Sequence, residues 1–202
     1  MVVALMRYID RSFETATVVF LLGSALGAIL VIMLPFIRGP IIGLLQARMV
    51  SPIQSVNRFG NGALLLLVFV NNSIPAALSF AYPFIIARVN WTPPLTREKR
   101  RLLLGCFTWL CAFLVGFFGL GVALSIGWLL GGNTLVISLL SGAWLHGPIE
   151  LVAVLLCVSE PLRLAEEHDG ALEVRLREDS RLLVTCLAVL LLAAVIEVFT
   201  RV

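Results

Sequence analysis

Five apolar stretches dominate this 202-residue chain, most of them at or beyond the roughly 20 residues that a bilayer-spanning helix requires. They cover about 16–37, 60–87, 102–131, 134–157 and 182–199, and the charged residues collect in the intervals between them. Within hydrocarbon every backbone N–H and C=O needs a partner inside the protein, which a helix supplies along its own length. The expected fold is therefore all-α: a polytopic transmembrane bundle of about five spans, with residues 1–202 forming one integral membrane domain. A hydrophobic share of 60%, a charged share of 13% and a mean hydropathy of +1.03 lie far outside the soluble range. No soluble domain is encoded.

Lysine and arginine placement orients the bundle. Arg7 and Arg11 precede the first span; Arg88, Arg97, Lys99, Arg100 and Arg101 follow the second; Arg163, Arg175, Arg177 and Arg181 follow the fourth. The other side holds Arg38, Arg48, Arg58 and Arg201. The denser side is expected to be cytoplasmic, with the N-terminus inside. The first apolar core exceeds a signal-peptide h-region and no convincing cleavage site follows it, so it reads as an uncleaved span. The net charge of +3 is a topology signal, and no basic surface with interleaved aromatics suggests nucleic acid.

Two intervals look suited to contacts. Residues 41–56 set Ile41, Ile42, Leu44, Leu45, Met49, Val50 and Ile53 beside Gln46, Arg48 and Gln54, as in a helix lying in the outer interface. Residues 158–181 form the one sizeable polar region, expected as a cytoplasmic loop. Its Leu172, Val174 and Leu176 alternate with charges, which fits either a short strand or a surface helix. The second span looks broken, because Asn71, Asn72, Ser73, Pro75 and Pro83 interrupt it.

The chemistry concentrates in residues 145–150, Leu-His-Gly-Pro-Ile-Glu, inside the predicted fourth span. An ionisable group in hydrocarbon costs ~2.5–3.5 kcal/mol on insertion scales and seldom stands there without a role. His146 and Glu150 are four apart and share a helix face, while Pro148 between them can kink the helix. The intramembrane polar set is Asn71, Asn72, His146, Glu150 and Glu197. Counting from the outer face, Asn71 and His146 lie at a shared depth of about 17 Å, with Glu197 about 10 Å shallower. That arithmetic predicts an asparagine beside the His146 segment, and Arg201 as the simplest partner of Glu197.

Three uses of this set stay open. It can be polar glue between helices, a proton or ion path, or the ligand pair of a metal-dependent enzyme, although His146 and Glu150 supply only two ligands. With no phosphate loop, nucleophile elbow or paired zinc-protease histidines, the chain is not expected to be an enzyme, and no cofactor or metal is expected. Cys106, Cys111, Cys157 and Cys186 form no CxxC pair and read as small apolar residues. Gly23 and Gly27, like Gly127 and Gly131, are spaced for close helix packing, either within one protomer or across a homo-oligomer.

Three stretches together resemble the stage II sporulation protein M family of integral membrane proteins. Val-Phe-Val-Asn-Asn at 68–72 is similar to the family's apolar run ending in asparagine. His-Gly-Pro-Ile-Glu at 146–150 is similar to its His-Gly-x-x-Glu motif, and Ala-Val-Ile-Glu-Val-Phe at 194–199 to its closing Ile-Glu-aromatic stretch. Residues 79–87 lack the glycine-rich continuation of the family pattern, and the final segment carries no closing proline. The resemblance implies a helical bundle in a prokaryotic cytoplasmic membrane, where the named member is a scaffold that recruits cell-wall-degrading partners. The expected function is thus an integral membrane scaffold or complex subunit, with the bilayer and other membrane proteins as partners. The alternative is a permease-like transport subunit working with a separate ATPase.

Overall fold

A computed structural model describes residues 10–47, 55, 58–88, 96–166 and 172–200, and every element in it is helical. These elements are α1 (Arg11–Met33), α2 (Pro35–Leu45), α3 (Asn61–Arg88), α4 (Arg97–Leu114), a π-helical stretch (Val115–Val122), α5 (Ala123–Ala143), α6 (Gly147–Glu166) and α7 (Leu172–Thr200). Among the described residues four segments are long and apolar enough to cross a membrane: Arg11–Met33, Asn61–Ile86, Arg97–Ala143 and Ser180–Thr200. The chain is a membrane protein by that measure. Its surface agrees, since Leu22, Met33, Leu66, Leu130 and Val184 all point outward, as lipid contact favours.

α1 shows the inverted pattern of a lipid-facing helix. Asp10 caps it, accepting from the Ser12 and Phe13 amides at 2.9 and 3.1 Å. Its buried stripe is made largely of small residues: Ser12, Ala16, Gly23, Ser24 and Gly27, with Phe20 and Val31. That stripe packs on α4 and the π-helical stretch. A methyl group on Gly23 would overlap the Phe113 carbonyl, and one on Gly27 would come within 2.7 Å of the Phe117 carbonyl. Reciprocally, Gly116 and Gly121 face the carbonyls of Phe20 and Ser24. Those carbonyls are four residues apart while the glycines are five apart, and the wider i→i+5 winding of the π-helix absorbs the extra residue. Ser24 Oγ, whose single proton is shared between the Phe20 carbonyl of its own helix at 2.9 Å and the Gly116 carbonyl at 3.2 Å, sits in the contact. Gly23 and Gly27 are thus consumed by packing within the protomer.

Gly127 and Gly131 serve a different contact. Gly132 has a φ of +60°, a conformation open to glycine, and it splits α5 into two arms. A Cβ on Gly127 would lie 2.8 Å from Leu139 Cδ1. In an uninterrupted helix residues twelve apart would be separated by about 18 Å. The chain therefore folds back at Gly132, and the two glycines admit Leu135 and Leu139 of the returning arm.

The fold-back at Gly132 falls in the gap expected between the 102–131 and 134–157 stretches and a further turn stands at 144–146, while the second span lacks the break expected of it. α3 instead runs unbroken for 28 residues with Pro75 and Pro83 inside it. Each proline frees the carbonyl four residues before it, those of Asn71 and Ser79, and the surrounding helices keep the backbone in register. The 134–157 stretch is not one span either: α5 ends at Ala143 and α6 begins at Gly147.

α6 is the central helix, packed against α1, α3, α4 and α7. Every residue from Ala153 to Leu162 is buried, the signature of a helix enclosed on all sides. Its core includes Ala153, Leu156, Cys157 and Val158 with Leu182, Cys186, Val189 and Leu190 of α7. Residues 158–166 are consequently helix rather than loop, with 158–162 and Leu164 buried, and from Leu172 the chain is helical again, which decides against a strand.

Of the 41–56 segment, residues 41–45 belong to α2, which starts at Pro35, while 48–54, 56 and 57 lie outside the described residues. Ile41 and Ile42 pack against a cluster of Val31, Val122 and Ile126. Arg38 closes the end of α1 by donating from Nε and Nη2 to the Val31 and Ile32 carbonyls at 2.9 and 2.6 Å, satisfying acceptors that a helix end leaves open.

Candidate functional site

His146 occupies the turn immediately before α6, and its carbonyl accepts from the Glu150 amide at 2.9 Å, the first helical bond of that element. Pro148 therefore stands in the first turn of a helix, where its missing N–H costs little, and does not kink a span. Glu150 is in the same first turn, where the positive end of the helix dipole favours a carboxylate. The hexamer is a helix start. The two polar side chains remain together, through an N-terminus rather than a helix interior.

α3 and α7 complete the site. Asn72 Nδ2 donates to Glu150 Oε1 at 2.7 Å, and Asn71 Nδ2 reaches Asn72 Oδ1 at 3.4 Å. The asparagine expected beside the His146 segment is thus Asn72, held to Glu150 and backed by Asn71. On the other flank His146 Nε2 lies 3.7 Å from Glu197 Oε2. The depth count set these two apart. The helix break explains the discrepancy: counting 1.5 Å per residue through 134–157 fails where the chain turns at 144–146. Arg201, proposed for Glu197, lies outside the described residues. Leu64 and Val68 of α3 pack with Ala194 and Val198 of α7 beside Glu197, and Asn72 continues the same four-residue stripe.

His146 and Glu197 are 6% and 8% exposed. Asn71, Asn72 and Glu150 are half-buried. One potential ligand atom from each of His146, Glu150 and Glu197 lies within 4.8 Å of the others. Where the sequence offered two ligands, the tertiary structure brings three. Among the described residues His146 Nδ1 is buried without a hydrogen-bond partner. Such a set can cross-link helices, exchange protons or hold a cation.

A second polar pair escaped sequence reasoning. Glu160, only 1% exposed, accepts two bonds from Arg163, Nε to Oε2 at 2.9 Å and Nη2 to Oε1 at 2.6 Å. Glu-x-x-Arg is an i,i+3 helix pair, a signal hidden by reading 158–181 as a loop. Of the cysteines, Cys157 and Cys186 are buried neighbours in the α6–α7 core, Cys111 is half-buried and Cys106 is exposed.

Compared with protein-family models, curated proteins and solved structures, the chain matches none.

Proposed function

We propose that this chain is an integral membrane scaffold or complex subunit of the kind implied by its resemblance to the stage II sporulation protein M family. One observation carries the reading. The three stretches behind the resemblance, 68–72, 146–150 and 194–199, are far apart in sequence yet meet through Asn72–Glu150 and His146–Glu197. A polar knot that ties α3, α6 and α7 together is what a rigid platform needs. The burial of His146 and Glu197 favours such fastening over a water-lined path.

In this reading the bundle crosses a prokaryotic cytoplasmic membrane five times, with α5 after Gly132 and α6 together making the fourth crossing. The N-terminus and the start of α4 are cytoplasmic. A cysteine placed at Thr96, in a background without the native thiols, is expected to resist membrane-impermeant maleimide in intact cells and to react after lysis. Labelling from outside would reverse the topology.

The transport alternative predicts a different outcome at Glu150. Glu150→Gln keeps an acceptor for Asn72 and is expected to leave folding and partner binding intact. Glu150→Leu strands that amide and is expected to cost ~1–3 kcal/mol of stability in detergent. Co-purification from native membranes with mass spectrometry should recover the same partners with wild type and Glu150→Gln, and Glu150→Gln should complement a deletion strain. A Gln variant that assembles normally and fails to complement would favour transport, as would stoichiometric recovery of an ATPase.

A further inference from the structure

The buried histidine does not reach Glu197 by a direct hydrogen bond. Its Nε2 stands 3.7 Å from Glu197 Oε2, beyond the ~2.7–3.2 Å of an N–H···O bond. Its Nδ1 is buried with no hydrogen-bond partner among the described residues, an arrangement that native structures rarely leave unexplained. Two atoms bound to one tetrahedral zinc, each about 2.0–2.2 Å from the metal, are separated by about 3.4 Å. The His146–Glu197 spacing is close to that edge.

We propose that His146, Glu150 and Glu197 form a binding site for a single zinc ion. The imidazole and two carboxylates present one nitrogen and two oxygen donors, within 4.8 Å of one another, so closure around a metal needs shifts on the order of 1 Å. Three protein ligands leave one coordination position for water. Asn72 supplies the supporting contact, since its 2.7 Å bond orients the Glu150 carboxylate and Asn71 in turn orients Asn72. The ligands come from the turn before α6, from α6 and from α7, so the ion would lock the entry to the central helix. The proposal is independent of whether the bundle is a scaffold or a transport subunit.

The test uses the full chain in detergent, free of any histidine tag and stripped with EDTA, then titrated with zinc against a chromogenic chelator. About one zinc per chain is expected, together with a rise in Tm on zinc addition. Glu150→Gln, which preserves the Asn72 contact, should remain folded and bind zinc at least 100-fold more weakly, as should Glu197→Gln and His146→Gln. Asn72→Ala should weaken binding by about 10- to 100-fold. The Cys157→Ser/Cys186→Ser variant removes the neighbouring thiols and should bind as wild type does. X-ray absorption at the zinc edge of the wild-type protein covers the case in which the variants fail to fold, and should report nitrogen and oxygen neighbours only. Sulfur in that shell, zinc retained by Glu150→Gln and His146→Gln, or a folded wild-type chain that takes up no zinc would each overturn the proposal. Loss of zinc with partner binding intact would leave the scaffold reading standing.

Discussion

Gly116→Ala is expected to destabilise the bundle by about 3 kcal/mol or more, enough to lower its yield from membranes sharply. The new methyl would be driven into the Phe20 carbonyl, and the neighbouring atom is backbone, which cannot rotate away. Gly121→Ala meets the Ser24 carbonyl in the same way and should behave alike. Gly119→Ala is the internal control. That glycine lies between them, faces outward and has nothing within 4 Å of a built Cβ. It should be neutral, or stabilising by up to ~1 kcal/mol from helix propensity. Thermal unfolding in detergent, followed by fluorescence size exclusion, separates the cases. Equal losses at all three positions would show that the close approach of α1 to the π-helical stretch is not what these glycines provide.

Arg163→Met is expected to cost about 3–5 kcal/mol, because it withdraws the guanidinium that binds both oxygens of buried Glu160. Replacing both residues, as Glu160→Met/Arg163→Met, should recover most of that loss. Two matched apolar side chains avoid the desolvation of two charges, and such replacements are often neutral or stabilising. The double-mutant cycle should therefore show strong coupling, with the double variant more stable than Arg163→Met alone. Were residues 158–166 a solvated loop, both single substitutions would fall within about 0.5 kcal/mol. The same cycle thus measures the coupling and checks the burial of this end of α6.

The all-helical, membrane-embedded character was legible because hydrocarbon leaves the backbone little choice, and lengths and charges alone express that constraint. The polar set was legible for the same reason. Asn71, Asn72, His146, Glu150 and Glu197 stand out in apolar runs where few polar groups are tolerated. Their pairing was only half legible. Shared depth placed an asparagine beside the His146 segment without singling out Asn72 or Glu150 as the pair, and it set His146 and Glu197 apart, because depth was counted along a helix that stops at Ala143 and restarts at Gly147.

The errors share a cause. Prolines and asparagines in 71–83 suggested a break, yet α3 runs through them, since neighbouring helices can support a proline-bearing helix. The break at Gly132 falls in the gap expected between the third and fourth stretches, whereas the 144–146 turn, which interrupts the expected fourth span, gave a weaker local signal. The charges after Glu150 suggested solvent, yet Glu160 and Arg163 neutralise each other and enter the core as a pair. Local composition reports what one residue prefers in isolation. Whether a charge is paired, or a broken backbone supported, depends on residues brought alongside by folding.

The sequence by itself determined the helical class, the membrane environment and the polar residues expected to matter, because each follows from the free energy of single groups in hydrocarbon. The tertiary structure decided where the helices break, that α6 is enclosed on all sides, and that Glu197 joins His146 and Glu150. Those outcomes depend on distances between segments far apart in the chain. The close contact of α1 with the π-helical stretch, through glycines spaced five apart against carbonyls spaced four apart, is of the same kind. Its physical reason is steric: two backbones can approach that closely only where the winding of one helix matches the register of the other.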